Sequence, residues 1–164
     1  MGLPNCRRAR FLDQAVAVDL GARWLMRVKP TVARIEAAQI RRTGTSVLAR
    51  FFRTDVLVLV TRGRRTGRER STPLACAAIA GGWLISGGAG GQRHVDWVAD
   101  LRANPAVDVV VRRRTFRVTA VEAVGTDYDA ARAFVIKRWP RVLSYETAAG
   151  RSVPIFELHR VDNE

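Results

Sequence analysis

The sequence predicts a protein of the α+β class, mainly antiparallel β, in which a small barrel carries helices at its periphery. Short runs of β-forming residues follow one another from Thr54 onward and are joined by tight turns. Helical periodicity occurs only in the N-terminal third and in two later stretches. A chain of 164 residues with 48% hydrophobic content is long enough for one core, so a single globular domain is expected.

The N-terminal third has the pattern of two helices. In residues 11–29, apolar side chains recur every four positions, at Leu12, Val16, Leu20, Trp24 and Val28. Pro30 ends this helix, and a weaker one follows with Val32, Ile35 and Ala38 on one face, ending near Thr43. An amphipathic helix packs on a protein core or rests on lipid, and both interpretations stay open for the first helix. We expect a helical segment over residues 1–45 and the barrel over residues 46–164.

Six runs have the composition of strands. They are TDVLVLVT (54–61), STPLACAAI (71–79), WLIS (83–86), VDVVVRR (107–113), TFRVTAVEAV (115–124) and SVPIFELHRV (152–161). The first is apolar on both faces, which is typical of a buried strand. Gly81 and Gly82 predict a hairpin turn before the third run. In the fifth, Phe116, Val118 and Ala120 alternate with polar residues, so this strand should be half-buried.

Two helices are predicted between the strands. In HVDWVADLRANP (94–105), Trp97, Val98 and Leu101 share one face. In TDYDAARAFVIKRWP (126–140), Thr126 is the expected N-cap. The residues expected to pack there are Ala130, Phe134 and Val135.

The composition excludes several classes of protein. No stretch approaches the roughly 18 apolar residues of a membrane span, and the N-terminus lacks the apolar core of a secretory signal. Cys6 and Cys76 are far apart and only two histidines accompany them, so we expect no metal site and a reduced, cytoplasmic location. The formal net charge of +13 implies attraction to an anionic partner, and the arginine bias of a GC-rich genome is the alternative explanation. Nucleic acid is not expected, because the arginine-rich stretches hardly interleave aromatic residues.

The stretch TRGRRTGRER, from Thr61 to Arg70, places five arginines and two glycines directly after the first strand. Its spacing is not that of a P-loop, and the later glycines of SGGAGGQR do not complete a dinucleotide fingerprint. Two glycine-containing loops at one rim of a barrel can still bring backbone amides and guanidinium groups to an anion. A solvated hairpin tip with no ligand is the alternative.

Protein-borne catalytic groups are few. His94 and His159 are far apart in sequence, and no nucleophile motif or carboxylate pair is present. An enzyme of this composition would take its chemistry from a cofactor.

Three motifs together resemble those of the deazaflavin-dependent nitroreductase family, the split β-barrel proteins that bind coenzyme F420. TRGRRTGRERSTPL is similar to the family's TTGRKTGxPRxxPL, WVADLRANPAVDVVV to its WYxNLxANPxVxVxV, and RSVPIFEL to its RxIPVxxLEP. The motifs occur in the family's order between Thr54 and Leu158. The resemblance implies a split β-barrel of the FMN-binding type.

The resemblance also implies where the coenzyme binds. Its phosphate, glutamate tail and one ring face would be held by Arg64, Arg65, Thr66, Gly67, Arg70 and Pro73. The deazaflavin would be lined by Ser86, Gly87, Gly88, Ala89, Gly90 and Gly91, with Trp97 beneath that loop. The chain departs from the family's pattern at Gly87, Val95 and Val98, and Tyr145 alone remains of several tyrosines that some members place over the substrate. Tyr145 is therefore the candidate hydrogen-bond donor to the acceptor, and a packed aromatic residue without a catalytic role is the alternative.

The implied activity is that of an oxidoreductase that passes a hydride from reduced F420 to an electron-poor acceptor such as a quinone, a nitro compound or an enone. FMN is the alternative cofactor, and a non-catalytic ligand-binding barrel is the alternative function. Whether the protein is a monomer or a homodimer, and whether it contacts a membrane peripherally, stays open at this point.

Overall fold

The fold is a barrel of six short strands with helices packed on its outside. The computed structural model describes residues 30–44, 55–87 and 95–161. The strands are β1 (Asp55–Arg62), β2 (Glu69–Ile79), β3 (Gly82–Ser86), β4 (Ala106–Val111), β5 (Arg114–Glu122) and β6 (Ile155–Arg160). The helices are α1 (Pro30–Thr43), α2 (Asp96–Ala103), α3 (Gly125–Arg138) and α4 (Val142–Ala149). The helix predicted for residues 11–29 lies outside the described residues.

All strand pairs are antiparallel, and the sheet closes in the order β1-β2-β3-β6-β5-β4, with β4 returning to β1. The predicted antiparallel barrel is thus confirmed. β1 and β2 pair over eight positions, from Asp55 with Cys76 to Arg62 with Glu69. The closing seam between β1 and β4 is shorter, with three pairs centred on Leu59 and Val109.

β1 explains the apolar run VLVLV. Leu57 and Leu59 point into the barrel core, while Val58 between them packs outward under α1, and all three are fully buried. A strand covered on both faces has to be apolar at successive positions. The inner core continues through Ile85, Val118 and Phe156, and α2 adds Trp97, Val98 and Leu101 to it, as predicted.

α1 covers the seam with a face that differs from the predicted one. Ala37 and Ile40 are buried against Val58 of β1 and Val110 of β4. Ile35 and Ala38, which we expected on the packed face, are exposed. The weak apolar periodicity of this stretch did not define the packed stripe, because single exposed apolar residues are common on helices.

Two details of the last third also differ from expectation. α3 begins at Gly125, and Val124 rather than Thr126 is its N-cap residue, without a side-chain capping bond. Ala131 and Val135 are its buried residues, whereas Ala130 and Phe134 are exposed.

α4 was not predicted. Its eight residues are too few to show a period, but Gly150, which ends the helix in the left-handed region at φ 64°, is a C-terminal signal that could have indicated it. Among the residues that the structure describes, no helix has the length and hydropathy of a membrane crossing.

Candidate functional site

The arginine turn between β1 and β2 is tight and internally bonded. The amide of Gly63 donates to the carbonyl of Arg68 at 2.9 Å, and the amides of Thr66 and Gly67 donate to the carbonyl of Gly63 at 3.1 and 2.7 Å. A Cβ on Gly63 would lie 2.9 Å from Oγ1 of Thr66, and Gly67 has a φ of +63°. Both glycines are therefore required by the shape of this turn.

Two aspartates of α2 bind two arginines of the turn. Oδ1 of Asp100 accepts from the backbone amide of Arg64 at 3.0 Å and from its Nη1 at 3.2 Å. Oδ2 of Asp96 accepts from Nη1 of Arg70 at 2.9 Å. The same Nη1 is 3.9 Å from Oδ2 of Asp100. The first turns of α2 thus hold the arginine turn against the barrel.

A small pocket of ≈ 210 Å³ lies between the turn and α2. Its lining residues are Gly63, Arg64, Arg65, Thr66, Arg70, Asp96 and Asp100. With three arginines and two aspartates in its wall, the pocket carries a net positive charge of one. Four of the predicted coenzyme residues, Arg64, Arg65, Thr66 and Arg70, therefore meet in one place.

A larger cleft of ≈ 430 Å³ adjoins this pocket, since Arg64 and Asp96 line both. Its apolar wall consists of Val95, Val98, Ala99, Ala123, Val153 and Pro154. Its polar groups come from Arg64, Asp96, Arg102, Glu122, Tyr128, Arg151 and Ser152. The cleft thus combines an apolar wall with a polar and charged one, and its volume is within the range of small-molecule sites.

The second predicted loop leaves the barrel beside this cleft. Ser86 ends β3 opposite Ile155, and the amide of the next residue, Gly87, donates to the carbonyl of Pro154 at 2.7 Å. A Cβ on Gly87 would lie 2.9 Å from Cγ of Pro154 and 3.0 Å from Cγ2 of Val98, two residues of the apolar wall. Glycine here allows the backbone to approach the cleft closely. Gly88, Ala89, Gly90 and Gly91 lie outside the described residues.

Ser86 and Gly87 line neither cavity themselves, and the same holds for three further predicted residues. Gly67 is exposed on the turn, and Pro73 is half-buried on β2 opposite Val58. Trp97 is buried in the barrel core, where its ring lies 6.0 Å from that of Phe156. Its place on α2, next to Val98, puts it below the wall of the cleft.

Tyr145 lies on α4 and is half-buried. Its side chain lines neither of the two cavities. The tyrosine that does line the larger cleft is Tyr128 of α3, for which no sequence motif indicated a role.

Tyr128 belongs to a polar network that fixes one wall of the cleft. Its hydroxyl donates to the carbonyl of Val153 at 2.9 Å, and the amide of Val153 donates to Oε1 of Glu146 at 3.1 Å. Arg132 donates two hydrogen bonds to the carboxylate of Glu146, at 3.2 and 2.5 Å. These bonds, chiefly those from Arg132, hold the pKa of Glu146 below its ordinary value. α3 and α4 are thereby bonded to the segment that carries Pro154.

Arg102 and Glu122 form a second pair at the cleft that sequence reasoning missed. Arg102 donates from Nε at 2.7 Å and from Nη2 at 2.5 Å to the two carboxylate oxygens of Glu122. The residues are 20 positions apart, on α2 and β5, so only the folded chain shows the pair.

Comparison with known proteins gives a consistent picture. A family model described as F420H(2)-dependent quinone reductase matches residues 32–160. The chain is 33% identical over 108 residues to an F420H(2)-dependent quinone reductase of Mycobacterium tuberculosis, a match that covers 63% of this chain and 72% of the relative.

Solved structures share the fold. An F420-H2 dependent reductase, FDR-A, superposes with a TM-score of 0.57 at 24% identity, covering 64% of this chain and 94% of that one. A structure described as a domain-swapped dimer has a TM-score of 0.60 at 25% identity, covering 80% and 100%. A heme storage protein of Vibrio cholerae, at 13% identity and a TM-score of 0.52 over 80% of this chain and 92% of that one, shares the fold alone.

Proposed function

Because the chain belongs to the F420H(2)-dependent quinone reductase family, we propose that it transfers a hydride from reduced coenzyme F420 to a quinone. Membership confirms the resemblance seen in the sequence motifs, the split β-barrel, the oxidoreductase class and F420 as the cofactor. FMN is not needed to account for any of these findings.

The small pocket fits the anionic end of this coenzyme. Its wall offers three guanidinium groups, and guanidinium groups bind phosphate and carboxylate oxygens by paired hydrogen bonds. Gly63 keeps the turn compact, because a Cβ there would meet Thr66. This convergence of Arg64, Arg65 and Arg70 on one pocket is the observation that carries the proposal.

The larger cleft fits the ring of the coenzyme. Gly87 brings the backbone against Val98 and Pro154 in its apolar wall, where any side chain would collide. The coenzyme residues that we propose are those implied by the family resemblance: Arg64, Arg65, Thr66, Gly67, Arg70, Pro73, Ser86 to Gly91, and Trp97. Arg64, Arg65, Thr66 and Arg70 line the small pocket, and Gly87 adjoins the wall of the larger cleft. For the others the assignment rests on the resemblance alone.

The coenzyme, when bound, supplies a hydride from its C5 position. The residues of the chain bind and orient it: the arginines hold the anionic end, and the apolar wall of the cleft excludes water from the ring. Tyr145 is proposed to donate a hydrogen bond to the acceptor oxygen, on the strength of the family resemblance alone. The network of Tyr128, Arg132 and Glu146 holds Val153 and Pro154 in position at the cleft.

The assembly and location of the protein belong to the same proposal. One structural relative is described as a domain-swapped dimer, and we include a homodimer beside the monomer for this chain. We further propose a cytoplasmic protein whose residues 11–29, predicted from the sequence to be an amphipathic helix, touch a membrane surface, which is compatible with a quinone acceptor. Light scattering after size-exclusion chromatography and flotation with quinone-containing vesicles test these two points.

The experiment that tests the function has two steps. The purified protein is titrated with oxidised F420, and with FMN as control, while coenzyme fluorescence is followed. Reduced F420 is then mixed with a menaquinone analogue in the presence and absence of protein. We expect F420 binding and protein-dependent oxidation. Binding without acceptor-dependent oxidation would favour the non-catalytic barrel, and absence of F420 binding would contradict the proposal.

A further inference from the structure

Asp100 is a carboxylate in an unusual place for an anion-binding pocket. It lies on α2 beside the core residue Leu101, and only 1% of its surface is exposed. A buried carboxylate is costly unless it is paired and hydrogen-bonded, and its negative charge opposes an anionic ligand nearby. Its presence in the pocket wall therefore calls for a physical reason.

The contacts of Asp100 concentrate on Arg64. Oδ1 accepts from both the backbone amide and the guanidinium of this one residue, at 3.0 and 3.2 Å. A residue bound through its backbone and its side chain has both its place in the turn and the direction of its guanidinium fixed. The Arg64 side chain nevertheless keeps 35% of its surface exposed, so it remains available to a ligand.

The second oxygen of Asp100 faces a second arginine. Oδ2 is buried and has no hydrogen-bond partner within the described parts of the chain. Nη1 of Arg70 lies 3.9 Å away and is bonded to Asp96. One carboxylate thus lies between two of the three guanidinium groups that line the pocket.

Asp100 could serve the pocket by placing Arg64 or by compensating the charge of the arginines, and the two roles require different side chains at this position. An asparagine retains an acceptor oxygen for the amide and guanidinium of Arg64 but carries no charge. In the WYxNLxANP motif that this stretch resembles, asparagine stands at the position of Asp100. We therefore expect that the acceptor oxygen, rather than the negative charge, is what places Arg64.

We propose that Asp100 is a positioning residue that holds Arg64 in place for the anionic end of the coenzyme. This inference rests on the proposed function, because the ligand is F420. Asp100 acts through Arg64 and need not touch the ligand. Its charge, which opposes the ligand, is dispensable.

The test is a fluorescence titration with oxidised F420 of the wild type and of four variants: Asp100→Ala, Asp100→Asn, Arg64→Ala and the Arg64→Ala/Asp100→Ala double variant. We expect Asp100→Ala to weaken binding by about 10-fold or more, because Arg64 loses its fixed position. Asp100→Asn should bind as tightly as the wild type, within about 3-fold, or more tightly. The F420 affinity of the double variant should lie within about 2-fold of the affinity of whichever single variant binds less tightly, because both changes remove the same interaction.

A matched control removes another aspartate from an arginine pair. Asp108 on β4 accepts from Arg117 on β5 at 3.1 Å, and both are away from the two cavities. Asp108→Ala should leave the F420 affinity unchanged. Thermal melting of every variant without ligand defines the temperature at which all are folded. If Asp100→Ala does not fold, the comparison of Asp100→Asn with the wild type decides.

Three results overturn the inference. The first is an F420 affinity of Asp100→Ala equal to that of the wild type, and the second is a loss of affinity in Asp100→Asn as large as that expected for Asp100→Ala. The third is a loss of affinity in the double variant that equals the product of the losses in the two single variants. Each leaves the proposed function in place, because the wild type still binds. A wild type that does not bind F420 overturns the proposed function and this inference with it.

Discussion

Arg64 donates two hydrogen bonds to the buried carboxylate of Asp100, one from its amide and one from its guanidinium. Arg65, the next residue, is exposed and lines the same pocket. The family resemblance gives these two arginines the same role, but their contacts in the structure differ. Arg64 supports the fold as well as the pocket, whereas Arg65 makes no side-chain hydrogen bond or ion pair with the residues that the structure describes.

We expect Arg64→Ala to lower both stability and F420 affinity. Without the guanidinium, a buried carboxylate loses a partner, which costs about 1–3 kcal/mol, and a melting temperature lower by roughly 2–10 °C should follow for a chain of this size. Scanning calorimetry of the unliganded protein measures the shift. A melting temperature equal to that of the wild type would show that the contact with Asp100 does not stabilise the turn.

Arg65→Ala is the matched comparison. Its melting temperature should stay at the wild-type value, while F420 binding weakens on the order of 10- to 100-fold, because one charge-assisted contact is lost. The loss should grow with the length of the glutamate tail. Wild-type affinity should fall as salt rises, since exposed charges are screened over about 10 Å at 0.1 M. Binding curves that superimpose on the wild type at every salt concentration and tail length would indicate a solvated hairpin tip.

Tyr145→Phe tests the one catalytic residue proposed from the sequence. If its hydroxyl donates to the acceptor, turnover with a quinone should fall by about 10-fold or more while F420 affinity is retained. Steady-state kcat and the coenzyme Kd are measured side by side, with Tyr128→Phe as a second variant. An unchanged kcat would assign Tyr145 to packing on α4.

Glu146 should make stability depend on pH at the acidic end. The hydrogen bonds from Arg132 lower its pKa in the folded protein below the ordinary value of 4.5. The carboxylate therefore contributes stability that is fully present above pH 4.5 and is lost as the pH falls through the lowered pKa. In Glu146→Gln the melting temperature should be lower at neutral pH and should fall less between pH 5 and pH 3. Parallel curves for variant and wild type would contradict this.

Cys76 should be inert in the folded protein. It is fully buried on β2, and burial, with a smaller effect of Asp55, raises the pKa of its thiol to about 12. At pH 8 only about one thiol in ten thousand is then ionised. In a Cys6→Ser background, a disulfide reagent such as dithionitrobenzoate should label the protein only after denaturant is added. Prompt labelling of one thiol without denaturant would refute the prediction.

Removal of residues 1–29 should leave a folded protein with unchanged F420 affinity, because none of the coenzyme residues lies there. Removal of residues 1–44 should destabilise it. Ile40 and Ala37 are buried against the barrel, and loss of this contact exposes apolar surface worth about 2–3 kcal/mol. Denaturant unfolding of the two truncated proteins, with F420 titration of each, makes the comparison. Lost affinity in the shorter truncation, while folded, would assign a binding role to residues 1–29.

The strands could be predicted because their patterns are local. VLVLV in β1 and the alternation around Phe116 in β5 report how many faces of each strand are covered. The packed faces of the helices were harder to predict than the strands. Ile35 and Phe134 are apolar but exposed, and a single sequence does not distinguish an exposed apolar residue from a packed one.

The residues of the candidate site likewise fall into those that a local motif predicts and those that it does not. The arginines and glycines of the turn are adjacent in sequence, so their pattern could be read directly. Asp100, Tyr128 and Glu146 become site residues only through contacts made after folding, with Arg64 36 positions away in one case and with Val153 in the others. A common residue type without a local motif carries no signal of such contacts.

The short seam between β1 and β4 has a consequence for local unfolding. Three residue pairs close the barrel there, against eight between β1 and β2, so fewer backbone hydrogen bonds resist local separation at this seam than along the neighbouring pair. α1 lies across the seam and packs on one residue from each side, Val58 and Val110. The helix therefore acts as a brace whose docking suppresses opening of the barrel, and amide hydrogen exchange along β4 reports directly on how firmly it is held.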